Sequence, residues 1–325
     1  MTDMNTNLKK QAKALPLTPG VYLMLDKNEE IIYVGKAKKL RERVSSYFTK
    51  NKQHSRKTLR MIQQLADFRT IDVPTELDAL LLECQLIQTH RPIYNRQMNS
   101  FEKYKYIEIN TDNQEVQINI LSVPTEKNCF GPFSIQRKLN LVKQILEELY
   151  GLNKNNYWRQ TFMEQSIDSL DRTLIINELL GAFRLNNERP QERLEAKMLL
   201  ASENFSFEKA GKLHEEWQFL THFFNQNKKL ILASQTDWQF LWFPFHSKIS
   251  YYLIYQGQII NSRMCTKQTF SKYTADELAK KILPKIKPTP IKQFSKKQID
   301  FVNILYSYVN QHKECHLIEL DDPFT

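Results

Sequence analysis

The sequence predicts an α+β fold. A small mixed α/β domain fills residues 1–100, and a connecting region with two strands and helices fills 101–189. A helical hairpin at 190–225 and a mixed C-terminal region at 226–325, to which the sequence assigns no role, complete the chain. Three observations predict this. Strand formers alternate on both sides of a turn near residue 28, apolar residues recur at helical spacing over 37–48 and 55–66, and residues 75–92 carry helix punctuation at both ends.

Taken in order, GVYLMLD (20–26) alternates, Asp26-Lys27-Asn28-Glu29 supplies turn chemistry, and EIIYV (30–34) returns as the second strand of a hairpin. A basic helix follows over 37–48, with Leu40, Val44 and Phe48 at helical spacing. A second helix over 55–66 turns Leu59, Ile62 and Leu65 inward, and 68–73 is a short strand. Thr75 opens the next helix, with Asp78 three residues on as a capping box. That helix runs to about residue 89 and stops before Arg91-Pro92, where proline forbids continuation. The order is β-β-α-α-β-α. Beyond it, KYIEIN (105–110) and VQINILSV (116–123) read as strands, Phe130-Gly131-Pro132-Phe133 as a turn, and 135–150 as an amphipathic helix. Residues 151–190 are polar and helical by composition. In the hairpin, Leu194, Met198 and Ala201 line one face, and Phe207, Ala210, Leu213, Trp217 and Leu220 the other. Residues 230–265 are strand-like and aromatic, and the tail from Ser271 is helical and lysine-rich.

With 41% hydrophobic and 25% charged residues, the composition is that of a soluble globular protein. Seven glycines in 325 residues argue against Gly-rich cofactor-binding architectures. No apolar run reaches membrane-spanning length, and residues 1–14 lack the apolar core of a secretory signal. Cys84, Cys129, Cys265 and Cys315 are scattered, without a CxxC pair, so neither a disulfide framework nor cysteine metal spacing is expected. A reducing cytoplasm is the expected setting. The net charge of +10 is uneven. Residues 1–105 hold 19 Lys/Arg against 11 Asp/Glu, and residues 36–60 alone hold ten basic residues against Glu42. Such a cluster either gathers phosphates through counterion release or forms a solvated lysine-rich face. The lysine- and proline-rich block at 280–297 reads as a linker or exposed loop.

Around the hairpin lies an unusual set of polar groups. Tyr22 and Tyr33 sit on adjacent strands, and Lys36 follows through Gly35, whose missing side chain admits a backbone or a phosphate. Arg43 lies about two helical turns past Lys36, and Glu83 is a lone carboxylate in the apolar run Leu80-Leu81-Leu82. A tyrosine pair in a hairpin also serves packing, and Glu83 is either a surface carboxylate or a buried one needing a cation.

The blocks GVY (20–22), YVGKA (33–37), Arg43, Tyr47, LLLE ending at Glu83, and RPIYN (91–95) together resemble the GIY-YIG nuclease superfamily. Residues 15–95 are more closely similar to the N-terminal nuclease of the UvrC/Cho-type excinucleases, nearest the short Cho-like form. The resemblance implies a metal-dependent endodeoxyribonuclease acting on damaged double-stranded DNA. One divalent ion, Mg²⁺ or Mn²⁺, would be held by Glu83, with Tyr33 as general base and Arg43 clamping the scissile phosphate. Tyr22 and Asn95 would orient the water and the base, Tyr47 would add a contact, and Lys36 or the metal would lower the pKa of Tyr33. The resemblance thins after residue 100, where 104–107 and 130–133 still look like family segments. The downstream cysteine cluster of longer members is missing, so no iron–sulfur cluster is expected. Residues 194–220 resemble the UVR hairpin that contacts UvrB in that family, departing at Ala210-Gly211 and His214-Glu215. No acidic triad or Gly-rich hairpin follows residue 230, so a single incision on the 3′ side of a lesion is expected. The alternatives are a free-standing GIY-YIG endonuclease cutting undamaged DNA and a non-catalytic DNA-binding adaptor.

Overall fold

The computed structural model describes residues 2–49, 54–112, 115–133, 136–152, 171–291 and 293–324. Residues 153–170 of the segment expected to be helical lie outside these, as do Lys50 and Lys52 of the basic cluster. The chain forms two compact units, one of residues 1–101, 236–290 and 297–325, the other of 102–235 and 291–296.

In the first unit, β1 (Gly20–Leu25) is the middle of an antiparallel sheet ordered β2-β1-β3, with β2 at Ile31–Ala37 and β3 at Asp67–Asp72. Strand alternation sends Val21 and Leu23 to one side, against Val34, Ala79 and Ile87. Tyr22 and Met24 go to the other, against Leu40, Val44 and Tyr47. Every residue of β1 is therefore buried. Helices α1 (Thr2–Ala14), α2 (Leu40–Ser46) and α3 (Arg56–Gln64) contribute to the Tyr22 side, and α4 (Glu76–His90) to the Val21 side.

Helix α1 is an addition to the predicted β-β-α-α-β-α order. Leu8 and Ala12, four residues apart and so on one helix face, bury in the Tyr22 core. Helix α2 starts at Leu40 rather than Ala37 because Lys36 and Ala37 still pair with Val21 and Gly20 in the ladder. On α3, Met61 and Leu65 are buried and Ile62 is partly so, whereas Leu59, expected inside, is exposed. Helix α4 has the predicted ends. Thr75 and Asp78 close a capping box, and Arg91 ends the helix in the left-handed conformation at φ 52°.

The same unit contains a meander of β7 (Trp238–Phe245), β8 (Lys248–Tyr255) and β9 (Gln258–Thr266), joined by β10 (His316–Leu320) in the order β10-β7-β8-β9. Short helices α9 (Lys267–Phe270) and α10 (Ala275–Lys280) and the longer α11 (Lys296–Gln311) connect these strands. The tail expected to be helical thus ends in a strand, because residues 316–320 pair with β7. Leu77 of α4, flanked by Leu80 and Leu81, packs with Leu241, Phe243, Tyr252, Leu305 and Tyr308. Helix α4 therefore lies between the two sheets.

The second unit has an antiparallel sheet ordered β5-β4-β6, with β4 at Lys105–Asn110, β5 at Gln117–Leu121 and β6 at Cys129–Phe133. Residues 130–133, expected as a turn, form β6 because Phe130 and Phe133 pair with Ile107 and Lys105 and their rings join the core. Helices α5 (Gln136–Leu149) and α6 (Arg172–Phe183) precede the hairpin of α7 (Arg189–Glu203) and α8 (Phe207–Gln235). Leu194, Ala201 and Leu220 are buried as expected, but Phe207 is exposed at the hairpin turn. No helix among the described residues is long and apolar enough to cross a membrane.

An ion-pair bridge ties α4 to β2. Lys36 Nζ donates to Glu76 Oε1 at 2.9 Å, and Lys38 Nζ lies 2.8 Å from Oε2. Burial pushes the Glu76 carboxyl up, but the two ammonium groups outweigh it and hold it below the usual carboxylate range. A depressed carboxyl stabilises the fold above its unfolded-state pKa, and that contribution fades as pH falls through the folded value. Lys38 is two-thirds exposed, so solvent screening limits the gain to about 1 kcal/mol. Glu76→Gln is expected to lose about this much at pH 7, with a smaller loss at an acid pH below the folded-state value of Glu76, where the wild-type carboxyl is itself protonated. Urea unfolding at the two pH values checks this.

Candidate active site

The site begins with a glycine opposite a tyrosine. In the β1–β2 ladder Tyr22 faces Gly35, and a Cβ on Gly35 would come within 2.3 Å of Tyr22 Oη and 2.9 Å of the Tyr33 ring. The space that the sequence analysis offered to a backbone or phosphate is filled by the Tyr22 side chain. This lets the phenol lie across β2 and reach the residues beyond it.

Three tyrosines and an arginine meet there. The Tyr22 and Tyr47 hydroxyls are 2.7 Å apart, and Arg43 Nε donates to Tyr22 Oη at 3.2 Å. The Arg43 guanidinium also lies 5.3 Å from the Tyr47 ring centroid. Tyr33 packs at 6.1 Å from the Tyr22 ring. Helix α2 supplies Arg43, and Tyr47 is its C-cap residue, so the spacing of one helical turn sets their common side.

Glu83 enters from α4. Its Oε1 accepts the Lys36 backbone N–H at 3.0 Å, and no hydrogen bond to Oε2 occurs among the described residues. Burial pushes the Glu83 carboxyl up, against the downward pull of the Lys36 N–H and the charges of Lys36 and Arg43. Such a carboxylate gains from the approach of a cation. No cluster of three or more His, Cys, Asp or Glu converges among the described residues. The donor set at Glu83 is thus one carboxylate with a free oxygen, which suits a hard ion that keeps most of its waters.

The phenols differ in how they are held. Burial, foremost, and then the neighbouring Tyr47 and Glu83 push Tyr33 up to about 12, while Tyr22 and Arg43 pull it down. Tyr22 is raised well above the ordinary phenol value, mainly by burial and then by Tyr47 and Tyr33. The lowering neighbour expected in Lys36 is committed elsewhere, since its ammonium pairs with Glu76. Arg43 is the cation that acts on Tyr33. Asn95 is also committed: it accepts from Val34 N–H and donates to Val34 O, both at 2.9 Å. Its amide therefore grips the backbone next to Tyr33, and both ends are engaged there rather than turned to a water.

The structure thus brings Tyr22, Tyr33, Arg43, Tyr47 and Glu83 together, with Asn95 and the backbone of Lys36 as supports. Sequence reasoning missed Glu76 and Lys38. Lys36 and Lys38 alternate along an extended chain and so project to one side, a signal that called for an acidic partner. It also missed His54, whose ring lies within 7° of parallel to Tyr47 at 6.3 Å and whose buried Nε2 has no hydrogen-bond partner.

Residues 18–96 match the family model of the UvrC-like GIY-YIG domain. Among solved structures, the chain is similar to the GIY-YIG N-terminal endonuclease domain of UvrC from Thermotoga maritima bound to its catalytic divalent cation, magnesium. The two are 36% identical over a match that covers 28% of this chain and 97% of that one, with a TM-score of 0.26. Two variants of the same Thermotoga domain, one with a tyrosine changed to phenylalanine and one with an asparagine changed to alanine, are each bound to the catalytic divalent cation. Each matches at 34% identity with the same coverage and TM-score. Through residues 18–96, this chain belongs to the UvrC-like GIY-YIG family.

Proposed function

We propose that the protein is a metal-dependent DNA endonuclease of nucleotide excision repair. In this reading it hydrolyses one phosphodiester on the 3′ side of a lesion in a UvrB-marked complex, as Cho-like enzymes do. The observation that carries the reading is the meeting of Arg43, three tyrosine hydroxyls and the half-buried Glu83 inside the family-matched domain. The exposed Lys39, Arg41, Arg56 and Arg60 add a basic surface suited to the phosphates of double-stranded DNA.

The chemistry follows from what each group can do. Glu83 would hold one Mg²⁺ or Mn²⁺, which supplies charge neutralisation at the phosphate and the leaving oxygen. Once ionised, the Tyr33 phenolate would accept the proton of the attacking water as the new P–O bond forms and the bond to the leaving sugar oxygen breaks, the leaving oxygen then taking a proton from solvent. Tyr33 suits this role better than Tyr22, whose hydroxyl is held between Tyr47 and Arg43 and is the more strongly raised phenol. Arg43 offers its remaining N–H groups to the non-bridging phosphate oxygens. Asn95 and the Lys36 N–H act by holding Val34 and Glu83 in place.

The partner reading rests on the hairpin turn. Phe205 is 80% and Phe207 66% exposed, their rings meet edge to face, and Leu199 and Leu200 are exposed on the preceding helix. An apolar group of this kind on a solvent-facing turn is what a protein partner covers, and it supports the hairpin as the UvrB contact.

Four outcomes test this. Glu83→Ala is expected to bind DNA but to lose Mg²⁺-dependent nicking of a lesion duplex by at least about 100-fold, and wild-type rates in that variant would sink the mechanism. With Tyr33 pushed up to about 12, wild-type single-turnover nicking should climb with pH across the neutral range. Tyr33→Phe should be about 100-fold slower or worse and flatter with pH. The double substitution Phe205→Ser and Phe207→Ser should abolish nicking directed by UvrB while leaving cation binding at Glu83 intact, measured with a UvrB-loaded lesion duplex and Mn²⁺ titration.

A further inference from the structure

Glu83 lies on a helix that is gripped at both ends by residues outside the family match. At the N-terminal end, the fully buried Thr75 has its hydroxyl 2.8 Å from the Tyr252 hydroxyl of β8, and Tyr252 Oη also donates to Asp78 Oδ1 at 3.2 Å. Thr75 and Asp78 are the capping box of α4, so Tyr252 is bonded to both members of the cap. Ser250, also buried, donates to Tyr252 Oη at 3.2 Å. At the other end, the buried Gln88 donates through Nε2 to Asp300 Oδ2 at 3.0 Å and to Lys297 O at 3.2 Å, both on α11.

The two grips are thirteen residues apart, about 20 Å along the helix axis, with Glu83 between them. The apolar contacts of Leu77 with Leu241, Phe243 and Leu305 would tolerate small slides or rotations of α4. Directional hydrogen bonds between buried groups do not, because a displaced partner leaves a buried polar group unpaired. The opposite side of α4 packs Ala79 and Ile87 on the nuclease sheet, and there the only polar side-chain ties are Glu76 to the two lysines and Glu83 to Lys36 N–H among the described residues.

We propose that the segments 236–290 and 297–325 are a positioning brace for Glu83, with Tyr252 and Gln88 as the residues that set the register of α4 against β2. The proposal rests on the reading of Glu83 as the cation ligand. It assigns a role in the same reaction to the C-terminal region. Tyr252 acts through α4 and touches neither substrate nor cation.

The test titrates Mn²⁺ into the full chain without DNA, read by electron paramagnetic resonance, alongside steady-state nicking and circular dichroism. Tyr252→Phe, which keeps the ring and deletes only the hydroxyl, is expected to bind Mn²⁺ about tenfold more weakly and to lose kcat by a similar factor. The KM for DNA and the folded spectrum should be unchanged. Gln88→Leu should move the same two quantities in the same direction from the other end, and it carries the test if Tyr252→Phe does not fold. Wild-type Mn²⁺ affinity and kcat in either folded variant, with a lower Tm alone, would overturn the brace. Glu83→Ala separates the two ideas. Lost Mn²⁺ binding there beside wild-type binding in Tyr252→Phe and Gln88→Leu overturns the brace only, whereas unchanged binding in Glu83→Ala overturns the ligand assignment and the brace with it.

Discussion

The hydrogen bond from the Lys36 backbone N–H to Glu83 Oε1 is the hinge of the arrangement, because it joins the backbone of β2 directly to the one carboxylate that α4 turns to the cluster. One partner is a strand held in register by its hairpin, and the other is a carboxylate on a separate helix 47 residues away in sequence. A backbone donor cannot change rotamer, so it presents Glu83 in one orientation and leaves the second oxygen without a hydrogen bond among the described residues. Had a flexible side chain held Glu83, the carboxylate would share its mobility, and the electrostatic coupling to Arg43 and Tyr33 would be diluted.

The cluster concentrates groups that an ordinary core would exclude. Three phenols and a guanidinium meet at the edge of a packed core, and burial drives Tyr22 and Tyr33 away from ionisation. Only one nearby cation, Arg43, pulls against that for both rings among the influences acting on them. The arrangement thus holds both phenols protonated at neutral pH. The Lys36–Glu76–Lys38 bridge also keeps the nearest ammonium groups occupied, so the field felt by the phenols is that of Arg43.

Helix α4 has a second function in the architecture, as the layer shared by two sheets. Its sequence is apolar around most of its circumference, with Leu77, Leu80 and Leu81 facing one sheet and Ala79 and Ile87 the other. A helix exposed on one side would need a polar stripe there. The absence of such a stripe in ELDALLLECQLIQTH is the local signature of burial on both sides, and it explains how one carboxylate, Glu83, comes to sit half-buried in a largely apolar helix.

Sequence by itself determined the hairpin, the capping box at Thr75 and Asp78, the stop at Arg91-Pro92, and the identity of the polar residues that meet, because each depends on local periodicity or on a short ordered motif. It misjudged places where pairing overrides local preference. Ala37 stays in a strand through its partner Gly20, residues 130–133 become a strand beside β4, and the end of the tail becomes β10 beside β7. Only the tertiary structure decided that Tyr22 occupies the space above Gly35, that Lys36 turns its ammonium to Glu76 while its amide holds Glu83, and that residues near 252 and 300 grip α4. These are contacts between residues some 13 to 212 positions apart, and no periodicity in the chain encodes which distant partner a buried polar group will find.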